Sequence, residues 1–237
     1  MTMSKYKDLT FYATQPHECS YLPAQQATTL FMDPAVTLEQ ELCSDLAEAG
    51  FRRSGVHIYR PDCAQCQACV PIRVPVNTFI LRRSQRKTWN RNTSLQVSKV
   101  PANFQDEHYQ LYQHYISQCH HDGDMYPASV EQYIAFLVDA TEFTSFYEFR
   151  EGNQLLAVSV VDHLQNSLSA VYTFYHPGYQ QRSLGRYCIL WLIEEARRLG
   201  LSYLHLGYWV HGCRKMNYKL EYRPAQIRVN HQWRPLK

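Results

Sequence analysis

The stretch "YRPDCAQCQACVPIRVPV" sets Cys63, Cys66 and Cys69 at intervals of three. With a distant fourth thiol, for which Cys19 in "HECSYLP" is the natural candidate, that spacing suits the thiolate set of a cubane iron–sulfur cluster, although the usual flanking proline pattern is absent. A four-thiolate zinc site is a second reading, strained by three ligands so close in sequence. A redox-responsive thiol set and a metal-free fold with packed cysteines remain open beside them. Cys43, Cys119, Cys188 and Cys213 read as isolated packing residues.

A second concentration of chemistry is cationic. Net charge is only +3, yet no acidic residue falls between Asp62 and Asp106, where Arg73, Arg82, Arg83, Arg86, Lys87, Arg91 and Lys99 all lie. Another basic run extends from Arg214 through Lys215, Lys219, Arg223, Arg228 and Arg234 to Lys237, against Glu221 alone. A solvated face would explain a short charge run. The missing carboxylates, and Asn, Gln and Trp89 interleaved in "ILRRSQRKTWNRN", favour phosphate contacts beside a stacking ring. Nothing in the pattern reads bases or separates RNA from DNA.

The 237-residue chain, 45% hydrophobic and 19% charged, can bury a sizeable core and does not read as disordered. Its N-terminus lacks the apolar core and cleavage pattern of a signal peptide, and no run approaches the ~20 apolar residues that span a bilayer. A cytoplasmic protein without membrane association is expected, in which eight cysteines are thiols or ligands rather than disulfides.

Helical spacing marks "TLEQELCSDLAEAGF", closed by Gly50, the segment from Asp106 to Ser117, and "ASVEQYIAFLVDA". Short strands are expected at Arg53–Tyr59 and Ile72–Val76. "TSFYEFREGNQLLAVSVVDHLQNSLSAVYTFYHP" reads as an antiparallel meander of three strands. "SLGRYCILWLIEEARRLG" follows as a helix with Ser183 as N-cap, a stop at Gly200 and one buried apolar face. "SYLHLGYWV" is a further strand, "HGCRKMNYKLE" a short helix and "AQIRVNHQW" a last strand.

This order predicts an α+β protein: a small cysteine-bearing N-terminal domain, residues 1–100, and an acetyltransferase-like (GNAT-type) mixed β-sheet domain flanked by helices, residues 101–237. In that architecture parallel central strands splay apart and acyl donor and amine meet in the gap. Coenzyme A users place a glycine-rich pyrophosphate loop before the long helix. Here "HPGYQQRSLGRY" has only Gly185 near the helix start, so another acyl donor is expected.

"GFRRSG", "CVPIRV", "SQRK", "VYTFYHP", "SLGRY" and "LGYWVHGCRKMNYK" resemble the aminoacyl-tRNA–protein transferases, most closely their bacterial aspartate/glutamate leucyltransferase branch, over nearly the whole chain. The resemblance implies an aminoacyltransferase that moves leucine from leucyl-tRNA to the α-amine of proteins beginning with Asp or Glu, marking them for degradation in an N-degron pathway. It implies leucyl-tRNA and proteins with acidic N-termini as partners, no DNA, and no cofactor for the transfer itself. Eukaryotic relatives hold an iron–sulfur cluster on N-domain cysteines. This chain departs from that pattern: Leu22 and Ala68 stand where two of those thiols would be, and Cys63 and Cys66 are the replacements beside Cys19 and Cys69.

The reaction is attack of a neutral α-amine on an aminoacyl ester. An amine of pKa roughly 8 supplies much of its own neutral form, so positioning can carry the rate. Candidate positioning groups are Asp162, Tyr172, Tyr175, Tyr208 and His211, with Asp162 placed to hold an ammonium; ordinary packing is the bland alternative for each tyrosine, and a place near a helix start for His211. Arg53, then Lys215, are the candidates for the acceptor's carboxylate, unless they are structural ion-pair partners. Arg82, Arg83, Arg86, Lys87 and Arg91 are the candidates for tRNA. Three rivals remain: arginine as the donated residue, a coenzyme A-dependent N-acetyltransferase, and a metal- or cluster-bearing RNA-binding sensor.

Overall fold

The computed structural model describes residues 9–236. Its N-terminal part contains β1 (Phe11–Ala13), β2 (His17–Glu18), β3 (Gln26–Ala27), β4 (Thr29–Met32), α1 (Gln40–Glu48), β5 (Arg52–Ser54) and β6 (His57–Pro61). There follow β7 (Cys69–Pro75), α2 (Arg83–Arg91), β8 (Gln96–Pro101), α3 (Asp106–Cys119) and the short α4 (Val130–Tyr133). The meander is β9 (Thr144–Glu151), β10 (Gln154–His163) and β11 (Ser167–Tyr175). The chain closes with α5 (Leu184–Arg198), β12 (Tyr203–Val210) and the hairpin β13 (Gln226–Val229) and β14 (Gln232–Pro235).

One eight-stranded sheet, in the order β14-β13-β7-β12-β11-β10-β9-β8, organises the molecule. The expected meander is its centre, and the α+β class with a mixed sheet is as read from the sequence. β7 and β8 join this sheet, with β7 inserted between β12 and β13, so the 100/101 boundary falls inside β8. Residues 69–101 could not be assigned to that sheet from sequence, because local pattern marks a strand and says nothing of a partner more than a hundred residues away.

α5 covers one face of the sheet. Leu184, Cys188, Leu192 and Ala196, spaced by four, bury against Val74, Leu156, Leu168 and Leu204. α3 covers the other face, where Tyr112 and Ile116 pack on Phe146, Val158 and Phe174. Gly200, at φ +73°, ends the α5 turn as expected. Ser183 is not the expected N-cap: it sits in the left-handed region at φ 52° and its hydroxyl makes no cap hydrogen bond. The preceding 3-10 turn Pro177–Arg182 delivers the chain in that conformation, and only the Ser183 carbonyl joins the helix.

The expected strand Arg53–Tyr59 is a hairpin, β5 and β6, turning at Gly55. Gly55 has φ +57°, and a Cβ there would lie 2.2 Å from the Ala135 carbonyl oxygen. The basic run, read only as a charge cluster, forms α2. It lacks an apolar stripe and is held instead by Gln85, whose Oε1 accepts the Arg82 N–H at 2.9 Å, and by Trp89, whose ring centroid lies 5.5 Å from that of Tyr187. Trp89 is thus part of the packing against α5 rather than a free stacking platform. The last stretch, expected as one strand, is the β13–β14 hairpin, because Asn230 and His231 adopt positive φ between them. Among the described residues no helix is long and apolar enough to cross a membrane.

Candidate active site

β11 and β12 run parallel and pair at Ser167–Tyr203, Leu168–Leu204 and Ser169–His205. Beyond Ser169 and His205 no further pair forms and the strands part. Parallel strands must satisfy their carbonyls and N–H groups with each other or with something inserted between them. Here the inserted group is Arg52, brought from β5: its Nη1 donates to Ser169 Oγ at 2.9 Å and its Nη2 to the Ala170 carbonyl at 2.6 Å.

β12 is shaped for that guest. Its register with β7 jumps between His205 and Tyr208, and inside the irregularity Gly207 takes φ +81°. A Cβ on Gly207 would lie 3.3 Å from Arg52 Nε and 3.4 Å from its Nη2, so the guanidinium lies against a bare backbone. The next carbonyl, that of Tyr208, accepts from Lys219 Nζ at 2.6 Å. Lys219 comes from the 3-10 segment Arg214–Glu221 and is only 7% exposed. Burial first, and then the charge of Arg52, push its pKa down to about 7.

The gap opens into a cavity of about 1220 Å³. Its wall carries Tyr172, Tyr175 and Tyr208 from the parted strands, Tyr115 from α3, and the uncapped start of α5 at Leu184 and Gly185. The Tyr175 and Tyr115 rings meet at a tilt of 56° with centroids 4.8 Å apart. The Tyr172 hydroxyl is buried without a hydrogen-bond partner among the described residues. Burial raises its pKa well above the ordinary tyrosine value, which keeps it a neutral donor. The Tyr208 hydroxyl is committed, donating to the Gly50 carbonyl at 2.8 Å, so this residue ties β12 to the N-terminal part. Among the described residues no Asp or Glu lines the cavity.

The other sequence candidates are distributed as follows. Arg53 and Asp162 meet each other: Arg53 Nε and Nη2 lie 2.8 and 2.7 Å from the Asp162 oxygens, and both side chains are almost wholly buried. Arg53 Nη1 donates to the Gly55 carbonyl at 2.6 Å, and Thr144 Oγ1 donates to Asp162 at 2.7 Å. Of the two readings open for Arg53, the geometry matches the structural ion pair, and Asp162 has its carboxylate occupied. Lys215 is on the cavity wall but pairs with Asp122 at 2.7 Å. His211 is exposed, edge-on to Trp209, and is not part of the wall.

Arg83, Arg86, Lys87 and Arg91 are all exposed on α2, and Arg82 is exposed just before its start. This helix is tied to the cavity's edge: Arg91 Nη1 donates to the Gln181 carbonyl, Asn92 Nδ2 to the Arg182 carbonyl at 2.8 Å, and Arg182 Nε to Asn92 Oδ1 at 3.0 Å.

Cys19, Cys63, Cys66 and Cys69 are half-buried. Among the described residues no three His, Cys, Asp or Glu side chains are arranged to hold a metal ion. Cys63 is engaged with the Thr28 backbone, its Sγ 3.5 Å from the Thr28 nitrogen. Burial, and then the neighbouring thiols of Cys19, Cys63, Cys66 and Cys213, push the Cys69 thiol up to about 12. Cys213, read as isolated, therefore sits among the others: it follows directly on β12, whose Val210 pairs with Cys69.

Arg52 and Lys219 were missed as site residues. Arg52 had a signal, since neighbours on a strand face opposite ways and one of "RR" had to face the gap. Lys219 had none that set it apart from the rest of its basic run.

Splayed parallel strands over a deep cavity, with a helix starting at its edge, define an acyltransferase fold. The solved structure of L-PGS from Bacillus licheniformis shares it, with a TM-score of 0.51 at 12% identity, covering 72% of this chain and 59% of that one. Within that fold class the sequence is specific: residues 17–87 match the family described as arginine-tRNA-protein transferase, N terminus, and residues 107–229 its C-terminus counterpart. The chain belongs to this family of aminoacyl-tRNA–protein transferases and is an enzyme. It is 55% identical over 231 residues to the aspartate/glutamate leucyltransferase of Pseudomonas fluorescens (strain Pf0-1), covering 98% of each chain. The aspartate/glutamate leucyltransferases of Stutzerimonas stutzeri (strain A1501) and Pseudomonas aeruginosa (strain UCBPP-PA14) are 55% and 54% identical over the same length.

Proposed function

We propose that the protein transfers leucine from leucyl-tRNA to the α-amine of proteins that begin with Asp or Glu. The observation that carries this reading is that the cavity wall, among the described residues, is cationic and apolar with no Asp or Glu. An arginyl donor would bring a guanidinium into a low-dielectric site, and burying it without a carboxylate is costly. A leucyl side chain needs only apolar surface, which Met125, Phe136, Val171, Ile189 and Leu206 supply. The same carboxylate-free, cationic wall favours an acidic acceptor residue.

In this reading the acceptor amine attacks the ester carbonyl, a tetrahedral oxyanion forms, and the ribose oxygen leaves. The new amide bond replaces the ester, and the proton lost by nitrogen ends on that ribose oxygen. The Tyr172 hydroxyl, buried and without a partner, is a donor available to the oxyanion. Tyr175 and Tyr115 shape the wall behind the donor. No step uses a metal or coenzyme A. α2, tied to the cavity's edge, is the place where the acceptor arm of a tRNA meets cationic side chains while its aminoacyl end lies in the gap.

The test is incubation with separately charged leucyl- and arginyl-tRNA and with peptides beginning Asp, Glu, Lys or Ala, read by mass spectrometry. Leucine on Asp and Glu peptides alone is expected. An arginine adduct would overturn the donor, and no adduct from either would overturn the function. For α2, the Arg83→Ala/Arg86→Ala double variant should weaken tRNA binding and reduce the slope of log K against log salt by about 2, without changing the choice of acceptor. An unchanged slope would remove α2 from the tRNA path.

A further inference from the structure

We propose that Arg52 and Lys219, held side by side on consecutive residues of β12, form the pocket that reads the side-chain carboxylate of the acceptor's first residue. The inference rests on the leucyl-transfer reading above and names the recognition group within the same cavity.

Elimination comes first. Among the described residues five Arg and Lys side chains line the cavity: Arg52, Arg53, Arg186, Lys215 and Lys219. Arg53 is neutralised by Asp162, Arg186 by Glu221 at 2.8 Å and Lys215 by Asp122 at 2.7 Å. Arg52 and Lys219 have no carboxylate partner among the described residues; their recorded acceptors are the Ser169 hydroxyl and the Ala170 and Tyr208 carbonyls. Lys219 is buried and Arg52 half-buried, and an anion that arrives to share the site offsets the cost of holding their charges there.

Geometry comes second. Arg52 lies against Gly207 and Lys219 against the carbonyl of Tyr208, so adjacent backbone units fix the two heads. Each terminal nitrogen of Arg52 uses one N–H on β11 and keeps another, and charged Lys219 keeps donors beyond its single bond. A carboxylate can accept from both heads at once. A side-chain amide of the same shape would set its own NH2 against one of them, so Asp and Glu are selected over Asn and Gln. The place, at the fork of the parted strands, puts the carboxylate beside the point where amine and ester must meet.

The charge of Lys219 gives the proposal a pH signature. The groups that face it are Arg52 from β5, Cys69 from β7, Tyr208 from β12, and Cys213 and Tyr218 from its own stretch of chain, the Tyr218 ring centroid lying 5.8 Å away. Burial holds the Lys219 pKa down at about 7 in the free enzyme. A bound carboxylate favours the protonated form, so acceptor affinity is full below that value. It falls as pH rises through it.

The test is steady-state leucine transfer from leucyl-tRNA to peptides that differ only in beginning with Asp or Asn. For Lys219→Met, the KM for the Asp peptide should rise by about 10- to 100-fold, with kcat changed much less, as expected for loss of a charged hydrogen bond. The preference for Asp over Asn should shrink by a similar factor. In the wild type the KM for the Asp peptide should climb above pH 7, and in Lys219→Met that rise should be absent. Arg52→Lys, which keeps the charge but loses the fork, should show an intermediate KM, and its melting curve separates a lost contact from a lost fold. An unchanged Asp to Asn ratio in a folded Lys219→Met enzyme, or identical pH profiles for the two enzymes, would overturn the proposal. A wild-type enzyme that adds no leucine to the Asp peptide would instead overturn the functional reading itself.

Discussion

Asp162→Ala is expected to lower the melting temperature by about 10 °C and to leave little folded enzyme at physiological temperature. The side chain is buried and shares two short contacts with Arg53. Removing one member of a buried ion pair typically costs about 3–5 kcal/mol, because the survivor stays buried and unpaired, and each kcal/mol shifts the transition of a chain this size by about 2–4 °C. Thr144 Oγ1 and the Gly55 carbonyl would remain as its only company. The double variant Asp162→Leu/Arg53→Met should recover much of the loss, since apolar replacements of similar volume often match a buried pair. Thermal or urea unfolding measures both. A single variant that melts like the wild type but transfers no leucine would return Asp162 to a direct role in the reaction.

Gly207→Val should reduce kcat/KM for leucine transfer by at least about 100-fold. A branched side chain is strained at φ +81°, and its Cβ would press on Arg52 at 3.3 Å. Arg52 would have to leave the fork, releasing Ser169 and Ala170 and breaking the acceptor site together. Gly152→Val is the control. Gly152 has φ +56° in the β9–β10 turn, but a Cβ there meets nothing within 4 Å. The backbone penalty is then comparable while the cavity is untouched, so this variant should lose stability and keep its kcat/KM. Equal loss of activity in both variants would mean that general destabilisation, not displacement of Arg52, is responsible.

The meander and β12 were legible as β-rich runs, the meander's set apart by the turn residues of "EGNQ" and "QNS", and α5 by the helical spacing of its apolar face. Tyr172, Tyr175 and Tyr208 were picked from the two strands that part, since the topology places the reaction between them. Which arginine of "FRRSG" faces the gap was not legible: one residue of register exchanges the two faces of a strand, and the three-residue β5 is too short to declare a face. Lys219 is the one buried residue of an otherwise accessible 3-10 segment, and nothing local in its basic run marked it as special. α2 escaped notice because a helix held by one capping glutamine and one tryptophan has no apolar stripe to see.

The insertion of β7 between β12 and β13 also bears on how the molecule is made. Val74 pairs with Leu204, about 130 residues later. At typical elongation rates a ribosome takes on the order of ten seconds to cover that distance. Through that interval neither edge of β7 has its partner strand, and a bare strand edge is a template for pairing with another chain. Both neighbours of β7 come from residues 203–229, so it takes its place in the sheet only after that stretch has been made.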